Sequence, residues 1–349
     1  MKSKKFVLVQ SFMIVIMIAS CSSIPQITTN VMMPSKYDEP TKLRRIAVIP
    51  FDGYHGNEIS KAIESDIASV RVGEDLFYTV VERDKIDQVI KESLISSSAV
   101  IDENTVVEVG NILGVEAIYM GQVNTPETYD RDFTESRSRC AYYKTEYTKK
   151  GKAYEVCAQT TSYTVDCKKR TAKFAITPKI IDIKTGQIIY ANTIQKESQQ
   201  SWCSDSGQSI SSAELVSLAQ TATLREFRQN IAPYFEKIDI QLMTTKAGMT
   251  RATKSKFDSG LNYAEAGRID RACQIWNTLP ESENSSSLVY SQGVCQEITG
   301  NFSNALIKYK KSDEIFGKPN EIILNAISRA ETQIKNRKKL QKQTKESNL

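Results

Sequence analysis

The sequence is poor in the residues most enzymes and metal sites need. Its 349 residues include one histidine, His55. There is no C-x-x-C pair, no G-x-S-x-G elbow and no phosphate-binding glycine loop. With one histidine and no C-x-x-C spacing, no zinc site is expected. Asp182-Ile183-Lys184-Thr185-Gly186 contains a K-T-G triplet. In serine β-lactam enzymes that triplet needs an S-x-x-K and an S-D-N, and neither Ser93 nor Ser96 to Ser98 heads an S-x-x-K. The triplet is read as a turn, His55 as an exposed loop residue. No catalytic residue, cofactor or enzymatic activity is expected. The excess of one charge sign is also small, with 46 Lys and Arg against 41 Asp and Glu. Three of the five excess positive charges lie at Lys2, Lys4 and Lys5, which leaves +2 for the rest of the chain. So small a balance gives no reason to expect a nucleic-acid partner. Beyond the N-terminus, no run approaches the ~20 apolar residues of a spanning helix.

That N-terminus is itself patterned. Lys2, Lys4 and Lys5 precede an apolar core, Phe6 to Ile18, broken only by Gln10 and Ser11. Small residues, Ala19 and Ser20, then lead to Cys21. The arrangement reads as a targeting segment over residues 1–20. Ile18-Ala19-Ser20-Cys21 resembles the lipobox of bacterial lipoproteins. The resemblance implies removal of residues 1–20 and acylation of Cys21. Because Ser22, not Asp, follows, it also implies anchoring at the periplasmic face of the outer membrane. Two or three acyl chains bind a bilayer firmly where one binds marginally. Residues 21–43, polar and carrying Pro25, Pro34 and Pro40, read as a flexible tether.

With Cys21 assigned to lipid, Cys140, Cys157, Cys167, Cys203, Cys273 and Cys295 remain. In an exported chain an even set predicts disulfides. Six cysteines allow about 15 connectivities.

Residues 44–243 alternate strand and helix patterns. RIAVIPF (residues 45–51) reads as a buried strand closed by Asp52-Gly53. Ile59, Ile63, Ile67 and Val70 recur at helical spacing. FYTVVE (77–82) is a second strand. Ile86, Val89, Ile90 and Leu94 mark a helix opening near Asp84, and another is predicted from about Asn104 to Leu113, stopped by Gly114. VEAIYMGQV (115–123) is a third strand. This alternation predicts an α/β layer, one sheet covered by helices. Residues 125–173 are rich in Tyr, Thr, Lys and Arg and predict a long polar hairpin or a disulfide-stapled insertion. FAITPKIIDI and IIYANTI flank Lys184-Thr185-Gly186-Gln187 as a further hairpin. Residues 199–212 read as a loop, and a closing helix through Leu215, Leu218, Phe227 and Ile231 ends at Pro233. Ile238 to Met243 reads as an edge strand.

Residues 44–235 resemble the curli-secretion (CsgG) family of lipoproteins. The likeness rests on RIAVIPFDG, FYTVVERDKIDQVIKE, GNILGVEAIYMGQV and FAITPKIIDIKTGQIIYANT. Related activators of penicillin-binding proteins share these stretches, and none carries catalytic residues. The resemblance implies homo-oligomers for channel members, whose β-barrel takes two lipid-facing hairpins from each subunit. These would fall in residues 125–173 and 199–212. A membrane strand needs roughly 9–11 residues with one apolar face. Neither Cys157, Gln159, Thr161, Tyr163, Val165, Cys167 nor the intervening Ala158, Thr160, Ser162, Thr164, Asp166 supplies one. The second segment is too short and polar for two such strands.

From about Lys254 a period of 33 appears. Gly260 and Gly293, Gly267 and Gly300, Ala272 and Ala305, Trp276 and Tyr309 are its matched pairs. The order resembles the tetratricopeptide pattern, with a period near 34. Residues 254–334 are therefore expected to form all-α helical hairpins, closed by a helix carrying Ile322, Ile323, Ala326 and Ala330. Their concave groove is expected to recruit a protein partner. Cys273 falls on the second helix of one repeat and Cys295 on the first of the next, so a Cys273–Cys295 bond is expected. The other four would pair among themselves, as Cys140–Cys157 across the hairpin turn and Cys167–Cys203. Residues 335–349, a basic tail, read as a solvated, frayed helix end. The fold class expected is α+β. The function expected is that of a non-enzymatic scaffold of an envelope complex, with a secretion channel and an activator of a peptidoglycan synthase as the alternatives.

Overall fold

The computed structural model describes residues 25–96 and 103–345. Cys21 and the targeting segment lie outside the described residues. In chain order the elements are β1 (Gln26–Met33), a 3-10 turn (Glu39–Lys42), β2 (Arg45–Val48), β3 (Asp52–Gly53) and α1 (Gly56–Ala68). Next come β4 (Arg71–Val72), β5 (Asp75–Leu76), β6 (Thr79–Val80), α2 (Arg83–Ser96), α3 (Glu103–Leu113) and β7 (Ala117–Val123). Then follow β8 (Glu127–Tyr147), β9 (Ala153–Asp182), β10 (Ile188–Ala191), β11 (Ile194–Cys203), α4 (Ser212–Ile231) and β12 (Tyr234–Gln241). The C-terminal part is helical: α5 (Arg251–Glu265), α6 (Ile269–Trp276), α7 (Ser286–Ile298), α8 (Phe302–Phe316) and α9 (Glu321–Lys345). A mixed sheet with helices is thus followed by a run of packed helices.

The sheet runs β10-β9-β7-β2-β6, with β8 and β11 also on β9 and β3 on β7. β2 lies parallel to β6 and β7, whereas β7 and β9 are antiparallel. Strand alternation divides the buried residues between two layers. Ile46, Val48, Ala117 and Tyr119 face α1 and α4, through Ile59, Ile63, Ile67, Ala219, Phe227 and Ile231. Ala47, Ile49, Ile118 and Ile181 face α2 and α3, through Ile86, Val106, Val109 and Leu113. Both faces of the sheet are therefore covered, which is why its strands read as continuous apolar runs. At Gly53 the backbone turns at φ 88°, and a β-carbon there would meet the Val123 carbonyl oxygen at 2.2 Å. Only glycine fits that approach.

Two segments depart from the sequence reading. Residues 26–43 are not a free tether: β1 pairs with β12, and Ser35 and Thr41 are buried. The tail is not frayed either, because α9 continues to Lys345. Gln343 on this helix is buried, accepts from the Ser35 amide at 3.0 Å and donates to Asp38 at 2.6 Å. Lys339 donates to the Lys36 carbonyl at 2.8 Å. In both cases the partners lie about 200 to 300 positions away, beyond the reach of local composition.

In the helical unit, a core of Phe257, Leu261, Trp276, Leu288, Tyr290, Val294, Tyr309 and Ala326 is continuous. A contact recurs within it at the period of 33. Gly260 on α5 packs on Trp276 of α6, and Gly293 on α7 packs on Tyr309 of α8. The absence of a side chain lets each helix pair close on an aromatic ring.

Buried phenols punctuate both cores. Burial pushes the Tyr190 and Tyr290 hydroxyls up to about 12, and raises Tyr78, Tyr119 and Tyr309 further. A phenol whose folded value exceeds its unfolded value of about 10 contributes full stability below that pH. The contribution is lost as pH rises through the folded values. Stability is therefore expected to fall between about pH 10 and 12. Phenolate absorbance from these rings should appear together with loss of near-ultraviolet circular dichroism; ionisation while the protein remains folded would refute it.

Candidate functional site: a disulfide-braced hairpin

The element that no core absorbs is the β8–β9 hairpin. Sequence reasoning divides this region at Lys173, but β9 is one strand of 30 residues. Its C-terminal part, from Phe174, is buried in the sheet, and its N-terminal part leaves the core with β8. β8 and β9 pair from Glu127↔Lys173 out to Tyr147↔Ala153. β11 accompanies β9 from Ile194↔Ile176 and stops at Cys203↔Cys167. Beyond Asp166, whose carbonyl accepts from the Ser204 amide at 2.9 Å, the arm is two strands wide, and among the described residues neither edge pairs with a further strand. An isolated two-stranded hairpin is marginal in water, so its bracing is informative.

Two disulfides supply it. Cys167–Cys203 ties β9 to the end of β11, and Cys140–Cys157 ties β8 to β9 near the tip, beside an irregularity at Cys140/Tyr142. Cys273–Cys295 joins α6 to α7 in the helical unit. At the arm's root Arg137 sits 3.1 Å from Glu135, 3.6 Å from Asp205 and 3.5 Å from the Cys203 sulfur. Arg170 makes a two-pronged pair with Asp130, both bonds 2.7 Å, and lies over the Trp202 ring at 5.5 Å. The Arg170 hydrogen bonds hold the Asp130 carboxyl below its ordinary range. Between these groups lies a cavity of about 640 Å³, whose lining includes Asp132, Phe133, Lys168, Trp202 and Ser204. Glu135 approaches Cys167 and Cys203 within 4.8 Å, but sulfurs joined in a disulfide are not thiolate ligands.

Opening Cys140–Cys157 by serine substitution at both positions should loosen the tip, leaving the sheet intact. The closed loop spans 17 positions, so the loss is about 3 kcal/mol of the hairpin's own stability. Hydrogen exchange over residues 141–156 should accelerate while that of β7 does not. Unchanged tip exchange would count against the brace.

His55 is exposed, opens α1 at φ 48° and lies 3.7 Å from Glu58. Lys184-Thr185-Gly186-Gln187 is the turn between β9 and β10, with Gly186 at φ 69°. Residues 199–212, where the resemblance would place a second lipid-facing hairpin and which are too short and polar for one, hold only the end of β11 and no pair of strands of their own. After Cys203 the chain closes a small bridge to Ser206 and enters α4 at Ser212. The groove expected in the repeats is not open along α7, where Ser285 to Cys295 are all buried. Sequence reasoning missed the arm's full extent, since strands with no buried face lack the alternation that marks a half-buried one. Among the described residues, no helix is long and apolar enough to cross a membrane.

A helix-covered mixed sheet that projects one long, braced hairpin defines the architectural class. Residues 45–230 match the model of the family described as curli production assembly/transport component CsgG, and the chain belongs to that family. No curated protein matches it. Solved structures similar to parts of the chain include the LpoB C-terminal domain from Salmonella enterica, at 9% identity and TM-score 0.25, covering 47% of this chain and 84% of that one. The hypothetical protein CT253 from Chlamydia trachomatis has 12% identity and TM-score 0.26, covering 52% and 92%. Lipoprotein GNA1162 from Neisseria meningitidis has 13% identity and TM-score 0.22, covering 53% and 97%.

Proposed function

We propose that the protein is a non-enzymatic scaffold of a cell-envelope complex, anchored by acylated Cys21 at the periplasmic face of the outer membrane. The β8–β9 arm is the surface that joins it to the complex. One observation carries this reading: a polar hairpin with two free edges, held rigid by two disulfides, extends from a fully covered sheet. Free edges are templates for pairing with another chain. Three disulfides favour an oxidising, extracytoplasmic compartment, and the family description is that of an assembly and transport component. Tetratricopeptide-like repeats at residues 254–334 add a second partner surface on their exposed helices, where Ile307 and Leu324 face solvent. A photo-crosslinkable residue at Ser136 or Ser162, in intact cells, should capture envelope proteins. Recovering monomer alone, under conditions that trap other envelope complexes, would sink the proposal.

The length of β8 and β9 favours one second reading, an oligomeric secretion channel. Its difficulty is strand parity at the root. β8 and β11 both run antiparallel to β9, so neighbouring three-stranded roots would meet β11 to β8 in parallel, whereas outer-membrane barrels are antiparallel throughout. Heat-resistant rings in detergent with conductance in planar bilayers would establish the channel; a monomeric, non-conducting protein would exclude it.

A further inference from the structure

We propose that the tip of the β8–β9 arm docks on the surface of an anionic lipid bilayer. The envelope reading above supplies the setting, and the tip is a separate surface from the hairpin edges discussed there.

The turn between the strands is Thr148-Lys149-Lys150-Gly151-Lys152, and no acidic residue lies between Tyr147 and Tyr154. Lys149, Lys150 and Lys152 are exposed and have no acidic partner among the described residues. Glu146, the nearest carboxylate before the turn, is already taken. Lys144 pairs with it at 2.8 Å, and the Tyr154 hydroxyl donates to it at 3.1 Å. Around this basic turn stand four exposed aromatic rings, Tyr142 (62%), Tyr143 (57%), Tyr147 (70%) and Tyr154 (44%). Neither core accounts for them. From Tyr143 to Tyr147 the ladder is regular, so Tyr143 and Tyr147 share one face of the arm, while Tyr154, opposite Glu146, lies on the other; the aromatic collar thus occupies both faces.

Each chemistry points to the same occupant. Tyrosine has an apolar body and a polar end, and it concentrates at the boundary between hydrocarbon and water. Clustered lysines are drawn to anionic headgroups, while their long stems lie along apolar surface. The arm also limits its own depth. Glu135, Arg137 and Arg139 lie below the collar, and charges on a strand are costly toward a bilayer midplane. Only the tip fits the membrane, and it fits the headgroup layer. The Cys140–Cys157 bond braces the arm at the end of the collar farther from the turn, beside Tyr142 and Tyr143.

The test uses residues 21–349 with Cys21→Ser, a chain that cannot be acylated and keeps every described residue. Its binding is measured by co-sedimentation with vesicles of phosphatidylcholine alone or mixed with phosphatidylglycerol. Binding is expected only with phosphatidylglycerol and should weaken as salt shortens the screening length. Changing Lys149, Lys150 and Lys152 together to alanine should weaken it roughly 100-fold, since each lysine contributes about a fivefold factor near such a surface. The matching triple change to arginine should restore it. Tyr142→Ser with Tyr147→Ser should weaken binding at high salt as well as low. Equal binding to both vesicle types, or an alanine variant that binds like the parent, would overturn the proposal. So would capture of a soluble anionic glycan or acidic protein in place of the vesicles. Such a failure would leave the scaffold reading standing, since that is decided by cross-linking in cells.

Discussion

Glu297→Ala is expected to lower the stability of the helical unit by about 3–5 kcal/mol, because it leaves a buried guanidinium without its partner. The Glu297 side chain is 1% exposed and that of Arg329 16%. Arg329 donates to the carboxylate twice, at 2.6 and 2.9 Å, and the Tyr309 hydroxyl donates to it at 2.5 Å. Burial acts against the charge on Arg329, but the hydrogen bonds and charge of Glu297 outweigh it and hold its pKa above the ordinary value. Arginine cannot escape by losing its proton. Removing the carboxylate therefore strands a charge and a phenol together. Replacing both Glu297 and Arg329 by apolar residues of similar volume should recover most of the loss. Urea unfolding monitored by circular dichroism measures each step. A loss below about 1 kcal/mol for Glu297→Ala would contradict the burial and bonding described.

Gly260→Ala is the second large effect, and its sign runs against local propensity. Alanine in a helix interior is favoured over glycine by about 1 kcal/mol. Here the added β-carbon would lie 2.1 Å from the Trp276 ring nitrogen and 2.7 Å from its neighbouring carbon. Trp276 is fully buried, and its ring nitrogen donates to the Phe257 carbonyl at 3.3 Å. The ring cannot retreat without losing that bond and separating α5 from α6. Overpacking of this kind typically costs about 1–3 kcal/mol. The cost should shrink when Trp276→Phe accompanies it, since the smaller ring vacates the contested space. Gly293→Ala should repeat the effect against Tyr309, whose ring carbon would lie 2.7 Å from the new β-carbon. Additive effects of Gly260→Ala and Trp276→Phe would show that the two residues are not in contact.

Legibility from sequence followed burial. The apolar runs at residues 45–51 and 115–123 became β2 and β7 because a covered strand must be apolar on both sides. The 33-residue period was readable because each glycine and its aromatic partner serve one local helix pair. The arm's length was not readable, since its outer residues bury little. Nor were the places of β1 and the end of α9, whose hydrogen-bond partners are remote in sequence.

By itself the sequence determined the mixed class of the fold, the family resemblance, the even set of six cysteines beyond Cys21 and the repeat of small and aromatic residues. These are properties of composition and spacing, which local chemistry constrains. Tertiary structure closed the face of α7 and bound the polar segments at residues 26–43 and 335–345. It also set two strands of an otherwise covered sheet free as an arm. Those outcomes depend on which distant groups meet, because a hydrogen bond, a disulfide or a buried face needs its partner in space rather than in sequence.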